Sequence, residues 1–288
     1  MKRIFCIGNG ESRKGFDLEQ LRQYGRIYGC NALWRDFTPD VLICVDQGIM
    51  HEVYQSGYCD KHDAWFRDWT TIPAHMYNSM LYGGMDDVNK EELIEYYDKH
   101  IENEIGDASE FVFHGSQLTG LVNIIKSGKA KGKSKEIIQQ QINHSGIYVS
   151  WIKPGDKSHD LQELIPNYKK DLGWAAGATT GRVAVEVDNP VDEMYLIGHD
   201  LYSNNQNVNN MYKGTKHYVP EEQGATPCDN WITQWKAMFT GYPHIKFYKV
   251  NRDGVSGSSP IDTTVQQWIG CKNIEYINYT TMLDIIKK

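Results

Sequence analysis

A short apolar run that stops abruptly on a glycine turn constrains this chain more than any other stretch. Lys2 to Ile7 (KRIFCI) is rich in β-formers and breaks at Gly8-Asn9-Gly10-Glu11-Ser12. Glycines at 8 and 10 permit positive φ and let a ligand approach bare backbone. Ser12 is placed to cap a helix that Phe16, Leu18 and Leu21 outline. Free N–H groups at a helix N-terminus behind such a turn form an anion site. Arg26 to Cys30 (RIYGC) reads as a second strand, so Asn31 falls at its carboxyl end, beside the first turn if the two strands are parallel neighbours. Open α/β sheets take ligands at that edge. The plain alternative is that Gly-Asn-Gly is only a tight turn. The dinucleotide pattern G-x-G-x-x-G is not met, because Arg13 holds its last glycine position, and no G-x-x-x-x-G-K-[ST] occurs. A dinucleotide site and a P-loop ATPase are therefore disfavoured.

The same grammar repeats along the chain. Val41 to Val45 (VLICV) is a fully apolar run that reads as a third buried strand, and it delivers Asp46 to the same edge. A helix over Gly48 to Tyr54 and a strand near Ala64 to Asp68 follow. The spacing of Leu93, Ile94, Tyr97 and Ile101 predicts an amphipathic helix over Val88 to Ile105. Glu110 to His114 reads as a strand, the apolar stretch through Ile125 as a helix, and Gly146 to Ile152 as a strand. Ala175 to Gly181 is a run of small residues entering a helix that continues through Val187. Met194 to Ile197 (MYLI) is a strand that ends at Gly198-His199-Asp200-Leu201-Tyr202, again bringing glycine, titratable groups and a phenol to a strand tip. A helix over Asp229 to Gly241, strands over His244 to Val250 and Ile274 to Tyr279, and a closing helix complete the pattern. Such alternation argues for a parallel sheet covered on both faces.

The formal net charge of -7 argues against a wholesale nucleic-acid coat. One local exception is Lys126 to Lys135 (KSGKAKGKSK), where Lys129, Lys131, Lys133 and Lys135 stand among glycine and serine. Such a run is an ordinary surface loop, or a segment that meets phosphates with counterion release. The six cysteines contain no C-x-x-C pair, which suits reduced thiols. His62 and His75 lack metal-ligand spacing with any other His or Cys. No apolar run approaches a membrane span and the strand at Met1 follows no signal peptide, so the expectation is a cytoplasmic protein that does not engage a membrane.

GNGES at 8 to 12, Cys30-Asn31, the small-residue helix near Thr180-Gly181, MYLIGHDLY at 194 to 202 and HIKFYKV at 244 to 250 occur in one order. Together they resemble bacterial CMP-sialic-acid-dependent sialyltransferases of lipooligosaccharide synthesis and the wider Rossmann-like set that shares a GNGPS turn. The string GNGESRKGFDL with YGCNALWRDFTPD also looks like a group of phage-encoded proteins thought of as glycosyltransferases. The likeness covers the first fifty residues or so and a block from about 174 to 250. It implies an α/β, Rossmann-like chain of one domain, 1–288, with an insertion or cap at about 60–170. It further implies that Gly8, Asn9, Gly10 and Ser12 hold the donor's phosphate and nucleotide, with Asn31 and Gly198 beside them. Thr180 matches a serine that contacts the nucleotide, Asp46 falls near an asparagine facing donor or acceptor, and Tyr202 matches a tyrosine bonded to the leaving phosphate. Phenol donors of that kind stand in for a metal, so no obligatory metal or other cofactor is expected. The family tends to assemble, which makes a homo-oligomer an expectation.

Two departures bear on chemistry. Glu11 replaces a proline, and His199 replaces an apolar residue. The base that takes the acceptor's proton is matched only loosely, by His217 in KHYVP, with His199 and Asp200 as reserves. An imidazole titrating near neutrality suits that task, whereas His199-Asp200 reads equally as a structural pair. The expected reaction is sugar transfer from a CMP- or UDP-linked donor to a hydroxyl. The acceptor is a hydroxymethylated pyrimidine in phage DNA, in the host cytoplasm, or else a cell-surface glycan. The competing classes are a pterin pyrophosphokinase-like transferase and a nucleotide-binding protein without turnover.

Overall fold

In the computed structural model, the described residues are 1–46, 49–50, 52–53, 56–67, 155–166, 175–201, 207–253 and 265–288, together with the backbone of short strands at 70–73, 110–113, 122–125, 133–134 and 146–149. The principal feature is an eight-stranded parallel sheet in the order β10-β4-β3-β2-β1-β11-β12-β13. Its strands are β1 (Arg3–Ile7), β2 (Arg26–Cys30), β3 (Val41–Cys44), β4 (Asp63–Phe66), β10 (Ser158–Asp160), β11 (Glu193–Ile197), β12 (Lys246–Asn251) and β13 (Ile274–Asn278). The fold is thus the α/β, Rossmann-like arrangement expected, and β1, β3 and β11 are dominated by buried apolar residues because both faces of the sheet are covered.

The chain divides into two compact units, one of 1–43 with 164–288, the other of 44–163. In the first, β1 lies between β2 and β11, with Ile7 opposite Gly29 on one side and Ile197 on the other. One face of this sheet presents Phe5, Ile7, Tyr195, Ile197, Tyr248 and Val250, packed against Leu18, Leu21 and the closing helix α3 (Tyr279–Ile286). On β12 and α2 (Asp229–Gly241), Phe239 meets Phe247 edge-on at 4.9 Å. A Cβ on Gly181 of α1 (Ala176–Val187) would stand 2.7 Å from the Trp235 ring of α2 and 3.4 Å from Met194 of β11. The small-residue run is therefore what lets α1, α2 and the strand approach so closely. All six cysteines are free thiols, and four of them are buried.

In the second unit, β4 pairs with β10 in parallel, while β5 (Thr70–Pro73) and β9 (Gly146–Val149) form an antiparallel pair. Strands β6 (Glu110–Phe113), β7 (Val122–Ile125) and β8 (Lys133–Ser134) make a small antiparallel sheet. Val122–Ile125, the end of the stretch expected as a helix, is thus strand. A segment as short as Val-Asn-Ile-Ile serves either element, and here pairing with Phe113 to Glu110 decides it. The expected helix over Val88 to Ile105 lies outside the described residues.

The segment after the opening turn also departs from expectation. Two single turns of 3₁₀ helix, Glu11–Arg13 and Glu19–Leu21, replace the helix outlined by Phe16, Leu18 and Leu21. Gly15 sits at φ 85°, and the Asp17 carboxylate accepts the Glu19 N–H at 3.0 Å, so the chain is turned aside before a second helical turn can form. Leu18 and Leu21 reach the core all the same.

Candidate functional site

The strand order runs outward from β1 through β2 and β3, then resumes on the other side of β1 with β11 and β12. The switch point therefore lies between β1 and β11, where a crevice opens at the carboxyl ends of strands in folds of this kind. The turns that leave these two strands are Gly8-Asn9-Gly10 and Gly198-His199-Asp200, so the residues singled out in the sequence do meet.

They meet mainly by binding each other. Gly8 N–H donates to the Ile197 carbonyl at 2.7 Å and Gly10 N–H to the Gly198 carbonyl at 2.8 Å. Glu11 N–H donates to Asn209 Oδ1 at 2.8 Å, and Ser12 N–H to Asp200 Oδ2 at 2.8 Å. The Ser12 hydroxyl donates to the other Asp200 oxygen. Cβ atoms placed on Gly8 and Gly10 would stand 2.5 and 2.7 Å from the Gly198 carbonyl oxygen, and Gly198 itself adopts φ 69°. The glycines are thus required by the mutual approach of two strand ends. The amides of residues 8, 10, 11 and 12 are engaged within the fold, and a 3₁₀ turn, Glu11–Arg13, stands where a helix N-terminus was expected. Ser12, expected to cap a helix, is a donor to Asp200.

His199 is settled by its surroundings. Its Nε2 lies 3.2 Å from the Cys6 carbonyl, which fixes the proton there, and its ring meets Trp235 edge-on at 5.0 Å. Burial pushes its pKa down to about 3, with the Lys249 charge adding in the same direction against the Cys6 bond. It is a neutral structural donor. Asp200 is 9% exposed and spent on Ser12, so neither reserve is presented as a base. Thr180 is fully buried in α1 and its hydroxyl donates to the Ala176 carbonyl at 2.7 Å, which leaves it inside the helix rather than in the crevice. Asp46 is exposed in the second unit, its carbonyl accepting the Met50 N–H at 2.9 Å. Tyr202, Lys129, Lys131 and Lys135 lie outside the described residues, and Lys133 is placed only as backbone of β8.

What remains at the crevice is an asparagine pair with a tyrosine over it. Asn9 Nδ2 donates to the Cys30 carbonyl at 3.2 Å, directly before Asn31, and to the Tyr218 hydroxyl at 3.3 Å. Asn9 Oδ1 is buried and accepts nothing, a state that costs about 1–3 kcal/mol when no ligand supplies a donor. Asn31 adopts φ 48°, which turns the next amide so that Ala32 N–H also donates to Tyr218, at 3.3 Å. His217 adopts φ 66° immediately before that tyrosine. Non-glycine residues held in this region mark places where the fold spends stability on geometry.

Tyr218 belongs to a strap, 207–224, that the sequence did not reveal. Its ends are joined by a bridge between Asn207 and Gly224. Met211 N–H donates to the Asn9 carbonyl at 2.8 Å, and Lys213 pairs with Glu11 at 2.7 Å. Arg35 holds the Thr215 hydroxyl at 2.8 Å and the Lys216 carbonyl at 2.9 Å. Beneath, Arg13 is 4% exposed; its Nε donates to the Gly8 carbonyl at 2.9 Å and its Nη2 to the Tyr212 hydroxyl at 2.7 Å, which in turn donates to Asp36. The arginine that spoils the dinucleotide pattern is thus the internal brace of the turn. Among the described residues, no cluster of His, Cys, Asp or Glu has the makings of a metal site and no helix is long and apolar enough to cross a membrane. No protein-family model matches the chain, and neither a curated protein nor a solved structure matches it significantly.

Proposed function

We propose that the chain is a nucleotide-sugar-dependent glycosyltransferase that moves a sugar from a CMP- or UDP-linked donor to a hydroxyl without requiring a metal ion. The observation that carries the reading is the half-used carboxamide of Asn9 beside Asn31 at the β1/β11 switch point, with a buried oxygen that lacks a donor. A ribose hydroxyl of the donor satisfies that oxygen, while Asn9 Nδ2 and Ala32 N–H, the two donors that meet at the crevice, take phosphate oxygens. Gly8, Gly10, Ser12 and Gly198 act behind them as the scaffold of the turn. His217 serves as the base for the acceptor hydroxyl, and Tyr202 donates to the leaving phosphate. The acceptor we favour is a hydroxymethylated pyrimidine in phage DNA, held through Lys129, Lys131, Lys133 and Lys135. A second reading, a nucleotide-binding protein without turnover, is favoured by the structural use of both His199 and Asp200.

The test is hydrolysis of a panel of CMP-, UDP- and GDP-sugars with and without EDTA. Turnover of one donor that survives EDTA is the expected result. Strict Mg²⁺ dependence with ATP instead supports a pyrophosphokinase-like transferase, and tight binding without turnover supports the second reading. Transfer to hydroxymethylated DNA, set against a glycan acceptor, separates the two acceptor classes.

A further inference from the structure

We propose that Tyr218 is an internal competitor for the ligand of this site, its phenol oxygen standing where a ligand oxygen binds and leaving when the strap opens. The inference rests on the reading of the crevice as one that takes a phosphate-bearing nucleotide. Two N–H donors from different strand ends, Asn9 Nδ2 and Ala32 N–H, converge on the one phenol oxygen at 3.3 Å each. Those lengths lie just beyond the usual N–H···O range, so both bonds are weak. The base of the strap is held more tightly, by Glu11 N–H on Asn209 and Met211 N–H on the Asn9 carbonyl, both at 2.8 Å. The tip is a closed loop of its own, with Gly214 N–H donating to the Val219 carbonyl at 2.8 Å. It departs from the base at Gly214, φ 72°, and carries His217 at φ 66°. Arg35 is the latch, reaching both Thr215 and Lys216 and lying over the rings of Tyr212 and Tyr218.

In the closed state Asn9 therefore offers its donor to the tyrosine while its acceptor goes unused. A ligand carrying both an anionic oxygen and a hydroxyl uses both ends of that carboxamide, which the phenol does not. The closed fraction lowers apparent affinity in proportion, since only the open form is competent. Tyr218→Phe removes the competing oxygen and keeps the ring that packs on Tyr212 and Arg35.

Titration calorimetry with CMP and with inorganic phosphate, on the full chain and on Tyr218→Phe, reads this directly. The variant is expected to bind CMP about fivefold tighter. If the original protein binds CMP and the variant binds it equally or more weakly, the competitor role is overturned. If the variant gains affinity for phosphate while neither protein binds CMP, nor UDP titrated in the same way, the competitor role stands and the nucleotide reading falls. Binding of neither probe by either protein overturns the competitor role as well.

Discussion

Asp200 accepts both the amide and the hydroxyl of Ser12 in a nearly closed environment, so its carboxylate is a structural acceptor first. Asp200→Ala strands two donors and is expected to cost about 2–4 kcal/mol, read by denaturant unfolding. Gly10→Ala meets the same wall from the other side: its Cβ would stand 2.3 Å from the Asp200 carboxyl carbon and 2.7 Å from a backbone oxygen. A loss of about 1–3 kcal/mol is expected there. For His199, the folded pKa of about 3 lies below the ordinary value of 6.5. The unfolded chain then binds the extra proton between those values, so the stability this group contributes is fully present above pH 6.5 and is lost as pH falls toward 3. His199→Gln keeps a donor for Cys6 and does not titrate. Its melting temperature is expected to fall less than that of the original protein between pH 7 and 4.5, and parallel curves would contradict the assignment. His217→Asn, which tolerates the left-handed backbone, is expected to lower transfer roughly a hundredfold or more with donor affinity unchanged.

At the scale of elements, the strap is held to the β2 end by Arg35 and to the turn by Glu11. Arg35→Ala is expected to speed trypsin cleavage at Lys213 and Lys216 with little change in global unfolding, the mark of local opening. The parallel strands were legible because a strand covered on both faces is written as an apolar run, as in VLIC, and α2 has the bounds read for it, Asp229–Gly241. The segment after the first turn was not, since Gly15 and the Asp17 side chain override the spacing of Phe16, Leu18 and Leu21. The glycines of the turn were legible as places of close approach, but letters do not say what approaches. A ligand and the Gly198 carbonyl call for the same missing Cβ. Tyr218 was silent for a related reason: its partners, Asn9 and Ala32, lie near the other end of the chain.

Across the whole molecule, the sheet order puts the β1 and β11 turns at the switch point, and Asn9, beside Asn31, holds there a buried carboxamide oxygen that accepts no hydrogen bond. The claim that matters most is that this pair grips a nucleotide. Calorimetric titration of CMP and UDP into the original protein and into Asn9→Ala, with circular dichroism to establish that both are folded, is the most direct measurement. One nucleotide is expected to bind the original protein and to bind Asn9→Ala at least about tenfold more weakly, as the loss of hydrogen bonds to a charged group implies. Equal affinity in the two proteins, or no nucleotide binding by the original, would contradict it.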